Sequence, residues 1–150
     1  MNNVWKPHVT VAAVLERDGH FLLVEEQTDD GILLNQPAGH LEPDESIVQG
    51  AVRETLEESA YHFEPHGLVG VYRWAHPKCD IIYLRFAFTG AITGHDPDRG
   101  LDTGILRALW MTPVQIRDSV DRHRSPLVLR CVEDHLAGRC YPLDLFTHYP

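Results

Sequence analysis

The stretch from Gly39 to Tyr61 constrains this chain more than any other. It reads Gly39-His-Leu-Glu-Pro-Asp-Glu45-Ser-Ile-Val-Gln-Gly-Ala-Val-Arg53-Glu54-Thr-Leu-Glu57-Glu58-Ser-Ala60-Tyr61. Ser46-Ile-Val-Gln49 has the form of a capping box, in which the serine oxygen accepts from the Gln49 amide and the glutamine reaches back, so a helix begins here. Pro43 lies just upstream, and Asp44 and Glu45 sit near the positive helix end. On that helix Glu54, Glu57 and Glu58 are i, i+3 and i+4, and they share an arc of roughly 100°. Taken alone, the triplet reads as a solvated acidic face. Three carboxylates so close repel one another unless a cation sits between them, and a hard divalent ion is the natural candidate. Val48, Val52, Thr55 and Ser59 are left to face the core, and the small Gly50 and Ala51 permit close approach beside the carboxylates.

Strand patterns surround this helix. Val9 to Leu15 is an apolar, β-branched run, Asp18-Gly19 signals a hairpin turn, and His20 to Glu25 reads as the partner strand. Thr28 to Gly31 is a second turn before a short strand at Ile32 to Leu34. Leu68 to Trp74 and Ile81 to Phe88 read as strands, the second placing Ile82, Leu84, Phe86 and Phe88 on one face. Gly94 to Gly100 reads as a polar loop, and Ile105 to Met111 as the last strand. Helices are predicted from Thr112-Pro113 to Arg117 or Asp118, and from Ser125-Pro126 to about Leu136 with Gly138 as the stop. This order predicts an α/β (α+β) fold, a mixed sheet with helices on its faces.

Composition narrows the function. The chain of 150 residues has the length of one domain, so residues 1–150 are expected to form a single unit. The net charge of −9 argues against sequence-independent nucleic-acid binding and against anionic membranes, but not against an anionic small molecule brought in with a metal. The three cysteines form no C-x-x-C pair, which suits reduced thiols in a cytoplasmic protein. The ten histidines are scattered without a recognisable Cys/His pair, which argues against zinc. No stretch approaches ~20 apolar residues, so no membrane span is expected.

A helix face bearing Glu54, Glu57 and Glu58 can offer oxygens to Mg²⁺, which binds through carboxylates together with substrate phosphates. Metal bound there would neutralise a pyrophosphate and lower the pKa of an attacking water, and a spare carboxylate can accept the proton. The Gly39 loop can present a backbone carbonyl as a further hard ligand. Arg53 and Glu45 are expected to pair and to brace the loop against the helix.

The full spacing resembles the Nudix box, Gly-x5-Glu-x7-Arg-Glu-U-x-Glu-Glu-x-Gly-U with U a bulky apolar residue. Gly39, Glu45, Arg53, Glu54, Glu57 and Glu58 match it as they stand. Ala60 replaces the last glycine, which normally suits a left-handed helix cap, and Thr55 and Tyr61 stand at the apolar positions. The resemblance implies an α/β/α sandwich and a Mg²⁺- or Mn²⁺-dependent hydrolase of a nucleoside diphosphate linked to another group. It implies Glu57 and Glu58 as metal ligands with the Gly39 carbonyl, and Glu54 as a further ligand or the general base. Lys6 to Ala12, Asn35 to Glu42, Arg124 to Val128 and Tyr141 to Leu143 look like the NudJ-type phosphatase subfamily. That subfamily releases orthophosphate from nucleoside di- and triphosphates, and acts on hydroxymethylpyrimidine pyrophosphate and thiamine pyrophosphate. Rival readings are a Nudix enzyme for oxidised nucleotides or dinucleoside polyphosphates, and a non-catalytic nucleotide-sensing module. A monomer or small homo-oligomer is expected.

Outside the box, many family members supply one more acidic ligand before a late strand ending in tryptophan, here Trp110. Asp102 is the best candidate, with the start of a turn as its alternative role, and Gly104 occupies a position that is often acidic, which would deplete this site. Arg73, Trp74 and Tyr83 are candidates for a base or pyrimidine pocket. His8, Asn35 and Gln36 are candidates for substrate contact, and Arg124 for phosphate contact unless Ser125 simply caps its helix.

Overall fold

The computed structural model describes residues 3–150. Its strands are β1 (His8–Ala13), β2 (Glu16–Arg17), β3 (His20–Thr28), β4 (Gly31–Asn35), β5 (Ala38–His40), β6 (Tyr61–Ala75), β7 (Ile82–His95) and β8 (Ile105–Met111). Its helices are α1 (Ile47–Ser59), α2 (Pro113–Asp118) and α3 (Leu127–Leu136), with short 3₁₀ turns after α2 and near the C-terminus. One sheet has the order β5-β1-β7-β6 and is mixed, because β1 and β7 run parallel while β1–β5 and β6–β7 are antiparallel. In the other, β3 pairs with β2 and β4 and with β8.

The unbroken apolar run at β1 follows from burial on both faces. Val11, Ala13 and Leu15 enter one core with Ala51 of α1, Tyr61, Phe63, Leu68 and Phe88. Ala12 and Val14 enter the other with Leu34, Ala87 and the α2–α3 residues Ile116, Val128, Cys131 and Val132. Helices therefore cover opposite faces, giving the expected α/β/α arrangement.

Two strands, β6 and β7, differ from the sequence reading. β6 begins at Tyr61 rather than near Leu68, although Pro65 and Gly67 lie within it. It is an edge strand, where a missing N–H is tolerated, and irregularities at His62/Phe63, Pro65/Gly67 and Leu68/Gly70 absorb the misfit. β7 runs on to His95 through part of the expected loop. It is also not one-sided: Arg85 and Ala87, on the face opposite Phe86 and Phe88, are buried as well.

α1 starts as expected. Ser46 Oγ accepts from the Gln49 amide and the Gln49 side chain accepts from the Ser46 amide. Thr55 and Ser59 are buried and return their hydroxyl protons to the carbonyls of Ala51 and Thr55. The helix ends at Ala60 in the left-handed conformation, φ 63°, so the alanine adopts the geometry that the box glycine would supply. Gly50 lies beneath the Leu41 and Glu45 side chains, and a Cβ there would be 2.9 Å from Glu45 Oε1. It is therefore a side chain of the preceding loop, not a second backbone, that uses the space.

Candidate active site

The carboxylate face of α1 looks into a cleft of about 480 Å³. Glu54 and Glu58, one turn apart, are each only 8% exposed. With Asp102 they can each offer one oxygen to a common point, these oxygens lying within 4.8 Å of one another. Burial raises the pKa of Glu54, opposed by Arg53, and pushes that of Glu58 up to about 8, opposed by the Ala38 amide. Ala38 N–H donates to Glu58 Oε1 at 2.9 Å. Two desolvated carboxyls and a third beside them, all oxygen donors, fit a hard divalent cation, whose charge would offset the cost of burying them. Gly39 lines the same cleft, and a Cβ at that position would overlap the Glu54 carboxylate and force it to move.

Asp102 arrives from the loop between β7 and β8. Its amide donates to the Glu57 carbonyl at 3.0 Å, and the Asp96 amide donates to the Ala60 carbonyl at 2.9 Å. The loop thus satisfies carbonyls at the C-terminal end of α1 that would otherwise lack partners. Gly104, the other position considered, takes φ 93° and turns the chain back into β8, while its carbonyl accepts from Gln27.

Arg53 organises the loop before the helix. Its Nε and Nη2 form a fork on Glu45, both at 2.8 Å, and Nη2 also donates to the His40 carbonyl at 3.0 Å. Nη1 donates to Glu54 Oε1 at 2.9 Å and to Glu57 Oε1 at 2.7 Å. These contacts hold the Arg53 pKa well above the usual arginine value and that of Glu45 below the usual carboxylate value. Glu57, expected with Glu58 at the metal, is here bound to Arg53 and lies outside the group of three carboxylates.

The remaining candidates separate by strand period. Trp74 and Tyr83 pair across β6–β7, stack with centroids 5.9 Å apart, and line the cleft. Arg73 is exposed and does not line it, because successive side chains of a strand point to opposite faces. Asn35 lines the cleft, whereas Gln36 is buried behind it. His8 stands beside it, with Nδ1 3.3 Å from Nε2 of the cleft residue His40. Burial, and then His8, lowers the His40 pKa. Arg124 and Ser125 both line the cleft; Arg124 pairs with Glu26 at 2.7 Å and Ser125 Oγ accepts from the Leu127 amide.

Sequence reasoning missed Arg85. It is 6% exposed, lines the cleft, and donates to Asn35 Oδ1 and Gln36 Oε1, both at 2.9 Å. The available signal was a lone charge inside the apolar run Ile81 to Phe88.

The sandwich and the braced carboxylate helix at a polar cleft define a class, the hydrolases that cleave phosphate-containing substrates on such a helix. The chain belongs to the Nudix family: the family described as "NUDIX domain" matches residues 6–131. Over 146 residues it is 37% identical to the phosphatase NudJ of Escherichia coli K12, covering 97% of this chain and 94% of the relative. A NUDIX hydrolase from Nitrosomonas europaea superposes with TM-score 0.94 at 52% identity, covering 96% of this chain and 98% of that one. The NUDIX domain of Shewanella oneidensis NrtR, solved with ADP ribose, shares the fold, with TM-score 0.71 at 18% identity and coverage of 90% of each chain. Among the described residues no helix is long and apolar enough to cross a membrane.

Proposed function

We propose that this Nudix hydrolase removes orthophosphate from nucleoside di- and triphosphates, with hydroxymethylpyrimidine pyrophosphate and thiamine pyrophosphate as further substrates, using Mg²⁺ or Mn²⁺. The observation that carries the reading is the convergence of Glu54, Glu58 and Asp102 in the cleft. The likeness to the NudJ phosphatase over nearly the whole chain supports the substrate class. It favours this class over oxidised nucleotides, dinucleoside polyphosphates or nucleotide sensing.

Glu54, Glu58 and Asp102 would hold the metal with the Gly39 carbonyl, and Glu57 would join them on release from Arg53. Bound there, the metal supplies charge neutralisation and a more acidic water. The water oxygen bonds to phosphorus, the bridging P–O bond breaks with its electron pair passing to the leaving phosphate oxygen, and a carboxylate of the α1 face takes the proton. Arg53 keeps the Gly39 loop and the helix in fixed register during this exchange. Trp74 and Tyr83 offer flat apolar surface to the ring of the substrate, and Asn35 offers it hydrogen bonds. The chain would work as one catalytic unit, a monomer or small homo-oligomer in a cytoplasm, with no nucleic-acid or membrane partner.

A substrate panel with phosphate and pyrophosphate detected separately tests the reading. Orthophosphate as the first product from a nucleoside triphosphate supports it; pyrophosphate plus a monophosphate overturns the proposed bond specificity. Metal titrations of Glu54→Gln separate its two roles. Lost affinity marks a ligand, and retained affinity with lost turnover marks the base.

A further inference from the structure

The cleft contains a buried positive charge, Arg85, with no anionic partner among the described residues. Arg85 donates to two amide oxygens and approaches Cys131 Sγ at 4.0 Å, and it makes no ion pair among the described residues. The other arginine lining the cleft, Arg124, is paired with Glu26. Gln36 has a fixed orientation, because its Nε2 donates to the Val128 carbonyl at 2.8 Å and so turns Oε1 toward Arg85. A guanidinium carries five N–H donors, and burying it against neutral acceptors alone is costly. A cation held in that way toward a cleft is suited to an anionic ligand oxygen.

Strand register says which part of a ligand it meets. Ala38, Ala12 and Ala87 form one row across β5, β1 and β7; His40, Thr10 and Arg85 form the next; His8 and Tyr83, with Trp74 on β6, form a third. Rows on one face are about 7 Å apart, and β5 and β7 are separated by about 10 Å. Glu58 is tied to the Ala38 row and the stacked Trp74–Tyr83 pair forms the third, so Arg85 stands between carboxylates and aromatics.

We infer that Arg85 binds the phosphoryl group next to the one attacked, so that the reacting phosphate lies at the carboxylates and the ring at Trp74 and Tyr83. The inference rests on the phosphoanhydride-hydrolase reading. When the bridging P–O bond breaks, the electron pair settles on an oxygen of the phosphate that Arg85 holds. Arg85 therefore selects substrates with at least two linked phosphoryl groups and stabilises the leaving one.

The experiment compares kcat and KM for a nucleoside diphosphate in the wild type, Arg85→Gln, Arg85→Lys and Asn35→Asp. Asn35→Asp keeps the hydrogen bond to Arg85 but supplies the missing negative charge. The expected result is a KM for Arg85→Gln raised by about 10- to 100-fold with a lowered kcat, as for loss of a charge-assisted hydrogen bond. Arg85→Lys should recover part of the loss, and Asn35→Asp should raise KM while leaving the melting temperature equal or higher. Unchanged KM in a folded Arg85→Gln, or in Asn35→Asp should the former fail to fold, overturns the inference. If the wild type turns over no phosphoanhydride, the functional reading fails separately. Calorimetric binding of magnesium pyrophosphate to wild type and to these variants then decides the role of Arg85: weakened binding in the variants supports it, and equal binding overturns it.

Discussion

The amide of Asp102 donates to the carbonyl of Glu57 at 3.0 Å, tying the loop between β7 and β8 to the last turn of the carboxylate helix. Through this backbone contact, an acidic residue 44 positions beyond Glu58 in the sequence (102 minus 58) comes within reach of Glu54 and Glu58. The contact uses the main chain, so the Asp102 side chain can be changed without removing it.

Asp102→Asn is accordingly expected to keep the fold and to weaken divalent-metal binding by about 10-fold or more, since ligand charge sets affinity at such sites. Titration with Mn²⁺ or Mg²⁺ checks this. Wild-type affinity in the variant would leave Asp102 as part of the loop only.

Arg53 joins Glu45, Glu54 and Glu57 in one network, so Arg53→Ala strips three carboxylates of their common donor. Stability should fall by about 1.5–3 kcal/mol, and turnover by at least about 100-fold as the Gly39 loop loses its register. Arg53→Lys should rescue little, because an ammonium cannot form the fork on Glu45. Thermal melts alongside kcat/KM measurements test both parts.

Burial pushes the pKa of Glu58 in the metal-free protein from 4.5 up to about 8. Between these values the folded state binds a proton that the unfolded state has released. Stability is therefore full below the lower value and declines as pH rises through the upper one. Melts in chelator from pH 5 to pH 8 should show this decline, and Glu58→Gln should flatten it while abolishing metal-dependent turnover. A wild-type profile that rises over this range would contradict the assignment.

Ala60 caps the helix at φ 63°, a conformation that costs a residue with a Cβ roughly 1–2 kcal/mol. Ala60→Gly should stabilise the protein by about 1 kcal/mol after the loss of the buried methyl group, or roughly 2–4 °C in melting temperature for a chain of this size. Activity should be unchanged.

The helix and its brace were legible because their determinants are local: the capping box, the i, i+3, i+4 carboxylates and the Glu45–Arg53 spacing all lie within one short segment. The resemblance carried Asp102, which no local rule would single out. What escaped depended on long-range pairing. Whether Arg73 or Trp74 faces the cleft is set by the β6–β7 register, which three irregularities shift. Arg85 is a lone charge in an apolar strand, and its surroundings depend on Asn35 and Gln36, nearly fifty residues earlier, which the fold brings against it. Glu57 shows a further limit, because its carboxylate can turn to Arg53 or to the group of Glu54, Glu58 and Asp102, and spacing does not choose between them.

In the proposed mechanism Glu54, Glu58 and Asp102 form a divalent-metal centre for phosphoanhydride hydrolysis. Orthophosphate release from a nucleoside diphosphate, measured with Mg²⁺, with chelator, and in Glu58→Gln with Mg²⁺, tests it most directly. Steady release is expected in the first case and loss of at least about 1,000-fold in the other two, with the variant still folded. Turnover that survives both chelator and Glu58→Gln would contradict it.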